Sequence, residues 1–414
     1  MNFFKSGASP KTLFLMTIGL GLLILSDLSF AQEASFFFQQ GRSLAGQGKY
    51  KEALAAFDKV IELDPGNPNP YIFKGDIKYR QEDLKGALVA FDKAIELDPK
   101  NPYPYILRGN IKFELGAPNV ALADFNRAIE LDPRNPYPYA LAGHIKFKQE
   151  DLKGALADFT RSIELDPNNP FPYANRGHIK SEQGDLKGAL SDFNRAIDLN
   201  PNDPVSHHAR GVIKFQQGDL KGALNDYNRA IDLNPKNSVS YFNRGGVKVK
   251  QGDFKGALSD FNRAIDLNPN DPVSIHARGV IKFQQEDLKG ALADFNRAIE
   301  LNPNNPALFF LRGIIKEHQG DLKGALADYQ KSRQLNPGDP LVVNRIEAVN
   351  KEMAEVSKGR QPIEYIDDDE EMAEVPKSRP EKTALTKPLK PKRKAPLKLD
   401  LADLMKYFPP FGPR

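Results

Sequence analysis

The chain has 414 residues, more than a single hydrophobic core usually supports, and its 58 Lys and Arg residues nearly balance its 54 Asp and Glu residues. A formal net charge of +4 is too small to require a nucleic-acid partner, and we expect none. The absence of cysteine excludes disulfides, thiolate metal sites and a cysteine nucleophile.

The N-terminal segment has the features of an export signal. Lys5 and Lys11 precede an uncharged apolar run at residues 13–25, and small residues end at Ala31 before a potential cleavage point. We therefore predict a signal peptide at residues 1–31 and a protein that is exported to the periplasm or secreted. The apolar run is shorter than the roughly 20 residues of a membrane span. An uncleaved N-terminal anchor is the alternative.

From residue 34 onward, the sequence repeats itself every 34 residues. Nine prolines stand 34 positions apart from Pro65 to Pro337, and each closes an Asp-Pro or Asn-Pro pair. A glycine occurs 24 residues before each of these prolines, an alanine 12 before it and an aromatic residue 8 before it. A fixed period of this length is typical of solenoid proteins, in which stacked units bury each other's apolar faces.

One unit, residues 204–235, illustrates why this period predicts paired helices. The first helix begins near Pro204, and a Gly-Asp pair turns the chain. Asp219 is then predicted to cap the second helix, because its carboxylate can accept hydrogen bonds from the free amides of the first turn. Pro235 ends the second helix, since proline lacks an amide hydrogen and its ring clashes with the preceding turn.

Columns of charge accompany the repeat. Arg and Lys recur four residues apart on the first helices, as in Arg210 and Lys214, and Asp recurs on the second helices, as in Asp226. We expect these columns to form a ladder of exposed ion pairs, each contributing about 0–1 kcal/mol. Such a ladder would set register more than stability.

The glycine, alanine, aromatic and proline positions together resemble the tetratricopeptide repeat (TPR), whose period is also 34 residues. The resemblance covers residues 34–339. It implies an all-α, right-handed α-solenoid of tandem helix-turn-helix units, with protein or peptide partners bound along the concave face. The sequence departs from the family pattern where Arg mostly replaces the Leu before the glycine and Lys mostly replaces the Tyr after it.

The predicted organisation is a signal peptide (1–31), nine repeats (34–339), a C-terminal capping helix (340–356) and a disordered tail (357–414). The capping helix is predicted from helical apolar spacing, and the tail from its Pro-rich, charged composition. The repeats are predicted at 34–67, 68–101, 102–135, 136–169, 170–203, 204–237, 238–271, 272–305 and 306–339.

In the family that this chain resembles, the second and fifth residues of each first helix face the groove. These positions are mainly apolar here, and aromatics are concentrated in the Asn-Pro-Tyr-Pro-Tyr motif at 101–105 and 135–139 and in its variant at 169–173. Packing of these aromatics between repeats is the alternative interpretation. The predicted partner-binding residues are Tyr103, Ile106, Tyr137, Phe171, His208, Phe242, His276 and Phe310.

No catalytic constellation, metal-ligand spacing or phosphate-binding loop is recognisable in the sequence. We therefore predict a non-enzymatic scaffold of the cell envelope, without cofactor or metal, that binds peptide segments of other proteins. The alternatives are a self-associating structural protein and an accessory subunit that tethers an envelope enzyme. The basic tail suggests a weak contact with anionic surfaces, and its apolar end at 397–408 is a candidate to fold back into the groove.

Overall fold

The structure is a computed structural model that describes residues 30–358. The predicted signal peptide (1–31) therefore falls almost wholly outside the described residues, as does nearly all of the predicted tail (357–414). Within the described part of the chain, all regular secondary structure is helical, which confirms the all-α prediction. No helix among these residues is long and apolar enough to cross a membrane.

The chain divides into two compact units, Met1–Pro201 and Asn202–Arg414, called unit one and unit two. In the described part of unit one, the helices are α1 (30–46), α2 (Tyr50–Leu63), α3 (Asn69–Arg80), α4 (Leu84–Leu97), α5 (Pro102–Glu114), α6 (Pro118–Leu131), α7 (Pro136–Lys148), α8 (Leu152–Leu165), α9 (Pro170–Glu182) and α10 (Leu186–Leu199).

In the described part of unit two, the helices are α11 (Pro204–Gln216), α12 (Leu220–Leu233), α13 (Ser238–Lys250), α14 (Phe254–Leu267), α15 (Pro272–Gln284), α16 (Leu288–Leu301), α17 (Pro306–His318), α18 (Leu322–Leu335) and α19 (Pro340–Ser357). Within each unit, helices pack in consecutive pairs, such as α3 with α4 and α11 with α12, and each pair packs on the next. This arrangement is the predicted tandem helix-turn-helix solenoid.

The close approach of the two helices in a pair depends on the repeated glycine. A Cβ built on Gly245 of α13 would lie 2.6 Å from Cε1 of Phe261 on α14, closer than any real contact allows. Phe261 is fully buried, as are the equivalent aromatic side chains of the other repeats. The glycine and the aromatic residue that recur in the sequence therefore form the centre of each helix pair.

Most helices begin at side-chain caps, as the sequence predicts for Asp219, whereas α2, α3 and α6 begin without a side-chain cap hydrogen bond. The Asp219 carboxylate accepts a hydrogen bond from the amide of Gly222 at 2.9 Å. The turn before this cap holds Gly218 with a φ of 81°. Three equivalent turns instead hold a glutamate with positive φ (Glu82, Glu150 and Glu286), a conformation that favours glycine.

The last described helix covers the final helix pair. On α19, Val342, Ile346 and Val349 are buried in the same apolar cluster as Tyr329 of α18. Because a terminal repeat otherwise leaves its apolar face in water, α19 acts as the predicted capping helix of unit two.

Candidate peptide-binding face

Three aromatic side chains project from the first turns of successive first helices in unit one. Tyr103 lies on α5, Tyr137 on α7 and Phe171 on α9, and their exposed fractions are 52%, 47% and 40%. Large apolar side chains are usually buried, so three exposed aromatics at one position of consecutive repeats form a distinctive surface. We call these three residues the aromatic face.

The Asn-Pro motif before each aromatic residue fixes where its side chain starts. The side-chain oxygen of Asn101 accepts a hydrogen bond from the Tyr103 amide at 3.0 Å, and Asn135 and Asn169 do the same for the next two aromatics. Proline occupies the first helical position in each case, where its fixed φ suits a helix start. The aromatic face is therefore presented from rigid, capped helix ends.

The neighbours of Tyr103 link the face across repeats. Partial burial raises the pKa of the Tyr103 hydroxyl, the nearby Asp76 carboxylate and Tyr137 hydroxyl raise it further, and Arg80 partly offsets them. Tyr79 on α3 donates a hydrogen bond to Glu114 on α5. Tyr103 and Tyr137, from neighbouring repeats, therefore lie close enough for the charge of one to shift the pKa of the other.

His144, which is not among the predicted partner-binding residues, extends the aromatic face. The His144 ring lies 5.8 Å from the Phe113 ring and 5.6 Å from the Phe171 ring, centre to centre. Its Nδ1 is 3.3 Å from the side-chain oxygen of Asn175, whose amide nitrogen donates to the Phe171 carbonyl. Burial lowers the His144 pKa below its usual range despite the Asn175 contact, so the ring is neutral at pH 7. Its spacing of seven residues from Tyr137 was the available signal, since such residues share a helix face.

The predicted residues at the fifth helix position have a different environment. Ile106, Phe242, His276 and Phe310 are all buried, with exposed fractions of 1–3%. Three residues along an α-helix turn the side chain by about 300°, which directs the fifth position toward the neighbouring helices. These four side chains therefore support the surface from beneath, and the binding role predicted for them remains a prediction.

His208, the remaining predicted residue, is partly buried and hydrogen-bonded. Its Nδ1 lies 2.8 Å from the Ser240 hydroxyl, and its Nε2 lies 3.3 Å from the amide nitrogen of Asn243. The equivalent His276 differs, because neither of its buried ring nitrogens has a hydrogen-bond partner. Burial lowers the pKa of His276 to about 3, so the ring is neutral.

The charge columns form buried ion pairs, which corrects the expectation of an exposed ladder. Arg244 donates from Nε and Nη2 to the two carboxylate oxygens of Asp260, at 3.0 and 2.6 Å, and from Nη1 to Asn228 of the preceding repeat. Asp260 is only 3% exposed. The same bidentate pair recurs at Arg108–Asp124, Arg176–Asp192, Arg210–Asp226, Arg278–Asp294 and Arg312–Asp328.

The repeat that starts at residue 136 lacks this arginine. Ala142 occupies its position, and Asp158 keeps only Lys146, at 2.6 Å. Burial therefore raises the pKa of Asp158, since a single lysine does not offset the loss of solvent. In Asp226, burial is outweighed by hydrogen bonds from Arg210 and Lys214, and the pKa is lowered.

Neither a metal cluster nor a deep cavity accompanies the aromatic face. Among residues 30–358, no group of three or more His, Asp or Glu side chains could hold a metal ion. A surface depression of about 470 Å³ lies beside Phe147, Lys148 and Glu182, at the far ends of α7 and α9.

Family models agree with the geometry. Models described as "TPR repeat" match residues 75–116, 177–218 and 211–252, and models described as "Tetratricopeptide repeat" match 34–67, 106–170, 239–271 and 276–340. The chain is a tetratricopeptide repeat protein. TPR repeats serve protein–protein interaction, and the family is typically non-enzymatic. No curated protein matches the sequence.

Three solved structures are similar to this chain over part of its length. A TPR protein from Parabacteroides merdae is 22% identical, with 60% of this chain and 98% of that chain covered and a TM-score of 0.43. YrrB, described as a TPR protein with an unusual peptide-binding site, is 24% identical over 46% and 97% of the two chains, with a TM-score of 0.41. PilF of Pseudomonas aeruginosa is 16% identical over 52% and 97%, with a TM-score of 0.47.

Proposed function

We propose that this TPR protein is an exported, non-enzymatic scaffold of the cell envelope that binds peptide segments of partner proteins on the aromatic face. The observation that carries the proposal is the exposure of Tyr103, Tyr137 and Phe171 at one position of three successive repeats. Fully burying one such side chain contributes about 1.5–3 kcal/mol. Because about half of each side chain is already buried, the three anchors together contribute roughly 2–4.5 kcal/mol to holding an extended peptide.

Rigid presentation favours binding because little conformational freedom remains to be lost. Aromatic side chains have few rotatable bonds, and the Asn caps and Pro residues already fix the backbone from which these three project. Aromatic residues are also enriched among the side chains that dominate protein–protein binding energy. The buried residues beneath the face, such as Ile106, keep the helices in place.

Export is supported by the sequence of residues 1–31, with its basic start, apolar run and small residues before a cleavage point. Cell fractionation together with mass spectrometry of the purified protein tests this part of the proposal. A mature N-terminus at Gln32 in the envelope or medium supports export. Recovery of the intact chain from the cytoplasm contradicts it.

The binding role is tested by affinity capture from envelope extract with the mature chain and a Tyr103→Ser/Tyr137→Ser/Phe171→Ser variant. We expect the parent to retain a partner that the variant loses, while the circular dichroism of the two remains equal. A Val89→Ser/Val120→Ser variant is the matched control, because these residues are exposed and apolar on second helices of the same unit. Equal capture by the parent and the aromatic variant contradicts binding at the aromatic face.

Solution mass distinguishes this scaffold from a self-associating structural protein. A scaffold for other proteins keeps a constant mass as its own concentration rises, whereas self-association increases the mass. Light scattering over a hundredfold concentration range measures this directly.

A further inference from the structure

We propose that the aromatic face is occupied by a lysine- and proline-rich segment of this same chain, residues 387–398. This inference rests on the proposed function, since it names the chemistry that the aromatic face recognises. The segment reads Lys-Pro-Leu-Lys-Pro-Lys-Arg-Lys-Ala-Pro-Leu-Lys and lies outside the described residues. A partner protein would then bind by displacing it.

The usual spacing of packed helices suits a polyproline II peptide. Ring contacts from Phe113 through His144 to Phe171 show that α5, α7 and α9 follow one another on this side of unit one. Packed helices lie about 8–10 Å apart. A polyproline II helix rises about 3.1 Å per residue with three residues per turn, or roughly 9 Å per turn. At the usual spacing of packed helices, one aromatic ring per repeat corresponds to one ring per peptide turn.

The sequence of the segment provides prolines at matching intervals. Pro388 and Pro391 are three residues apart, so a polyproline II conformation places both on the same side of the peptide. Pro396 follows five residues later and gives the segment a third fixed φ angle. Proline segments with this spacing dock into aromatic-lined surfaces and lose little entropy, because their conformation is preformed.

Charge favours unit one over unit two as the docking surface for this segment. Residues 387–398 carry six Lys and Arg and no acidic residue. Residues 30–201 carry 22 Lys and Arg against 24 Asp and Glu, whereas residues 202–358 carry 22 against 19. The excess of acidic residues therefore occurs in the unit that presents the aromatic face.

Side chains near the face differ between the two units. In unit one, the Asp76 carboxylate lies near Tyr103 and pairs with Arg80 at 3.0 Å. The Glu114 carboxylate accepts a hydrogen bond from Tyr79. The exposed Tyr and Phe rings can also accept lysine or arginine side chains over their faces. In unit two, the corresponding exposed position holds Val205, which has no ring to offer.

The test measures binding of a fluorescently labelled peptide of residues 385–400 to the full mature chain by anisotropy. In the parent, we expect the chain's own segment to compete and weaken binding. In a full chain with Pro388→Ala/Pro391→Ala/Pro396→Ala, the same peptide should bind at least tenfold more tightly. Adding Tyr103→Ser/Tyr137→Ser/Phe171→Ser to that chain should abolish binding, and adding Val89→Ser/Val120→Ser should leave it unchanged.

Two results would overturn the inference. One is the absence of peptide binding to the proline-substituted chain. The other is equal binding after the aromatic substitutions, which would indicate a contact made by charge alone. A peptide with its prolines replaced by alanine is the matched ligand control and should bind at least tenfold more weakly.

The outcome remains separate from that of the proposed function. If the peptide fails to bind but an envelope partner is still captured through Tyr103, Tyr137 and Phe171, this inference is wrong and the proposed function stands. If both fail, the proposed function is wrong as well. A constant solution mass assigns the segment to its own chain, as proposed. A doubling with concentration contradicts the proposal, because it assigns the segment to a second copy.

Discussion

Unit one and unit two share a repeat framework but differ in where they place their aromatic side chains. In unit one, Tyr103 and Phe171 are exposed at the second position of their helices. In unit two, Phe242 and Phe310 are buried at the fifth position. Both units keep the glycine–aromatic contact within each helix pair. The framework therefore tolerates variation at the second and fifth helix positions, and this variation gives each unit a different surface.

The largest expected contrast is between a buried and an exposed aromatic side chain. Phe242→Ala should destabilise unit two by about 3–5 kcal/mol, because it leaves a cavity in place of a buried ring. Tyr103→Ala should change stability by less than about 0.5 kcal/mol, because its side chain is half in water. Thermal and urea unfolding followed by circular dichroism measure both. Similar losses for the two variants would show that the aromatic face is part of the core.

A second contrast concerns the aspartates of the charge columns. Asp226→Asn should cost about 2–4 kcal/mol at pH 7, because it removes the buried partner of Arg210 and Lys214. The lowered pKa of Asp226 means that its contribution is present above the unfolded pKa and is lost as the pH falls through the folded value.

Asp158→Asn is the matched control in unit one. The raised pKa of Asp158 means that its contribution is present at low pH and is lost as the pH rises through the folded value. At pH 7, this substitution should therefore cost less than about 1 kcal/mol or raise stability. Equal losses for Asp158→Asn and Asp226→Asn in urea unfolding would mean that the missing arginine has no energetic consequence.

The third and smallest expected effect is the part of the acid sensitivity that His276 contributes. Its pKa of about 3 in the folded chain is below the unfolded value, so stability present above pH 6.5 is lost as the pH falls toward 3. Each pH unit in that window costs about 1.4 kcal/mol, or about 2 kcal/mol from pH 7 to pH 5. His276→Phe should remove this part of the acid sensitivity, since Phe242 and Phe310 already occupy equivalent positions.

His208→Phe should lower the stability of unit two at pH 7, whereas His276→Phe should reduce the loss of stability at low pH. It leaves the buried Ser240 and Asn243 without the ring nitrogens that they contact, which costs about 1–3 kcal/mol at pH 7. Unfolding curves of the two variants at pH 7 and pH 5 compare them. An unchanged acid sensitivity in His276→Phe would show that other groups dominate the pH response of unit two.

Much of the fold could be predicted because the repeat carries local and independent signals. Pro235 ends a helix and Asp219 starts one through backbone chemistry that needs no knowledge of neighbouring units. The 34-residue period then requires the pairs to stack. The structure confirms the cap at Asp219 and the all-α architecture.

The environment of the fifth helix position could not be predicted in the same way. Whether Phe242 or Ile106 faces solvent depends on how closely the next repeat packs, which one helix's sequence does not specify. The burial of the Asp–Arg pairs could not be predicted for the same reason. Asp260 is buried because Arg244 and the neighbouring helices enclose it.

His208 and His276 show this limit most directly. Residues 204–237 and 272–305 differ at only six of 34 positions, so both histidines have nearly the same local sequence. Their surroundings differ because the following repeat supplies Ser240 and Asn243 in one case and Leu308 and Leu311 in the other. The chemistry of a side chain in this fold is thus determined one repeat away.

The regular hydrogen bonds of the arginine column have a consequence for chain length. In unit two, Arg244, Arg278 and Arg312 each contact an aspartate 16 residues ahead and an asparagine 16 residues behind. If a repeat were duplicated or deleted within this stretch, the arginine at each new junction would find the same aspartate and asparagine partners. The architecture is therefore modular, and copy number can change without any new contact having to evolve.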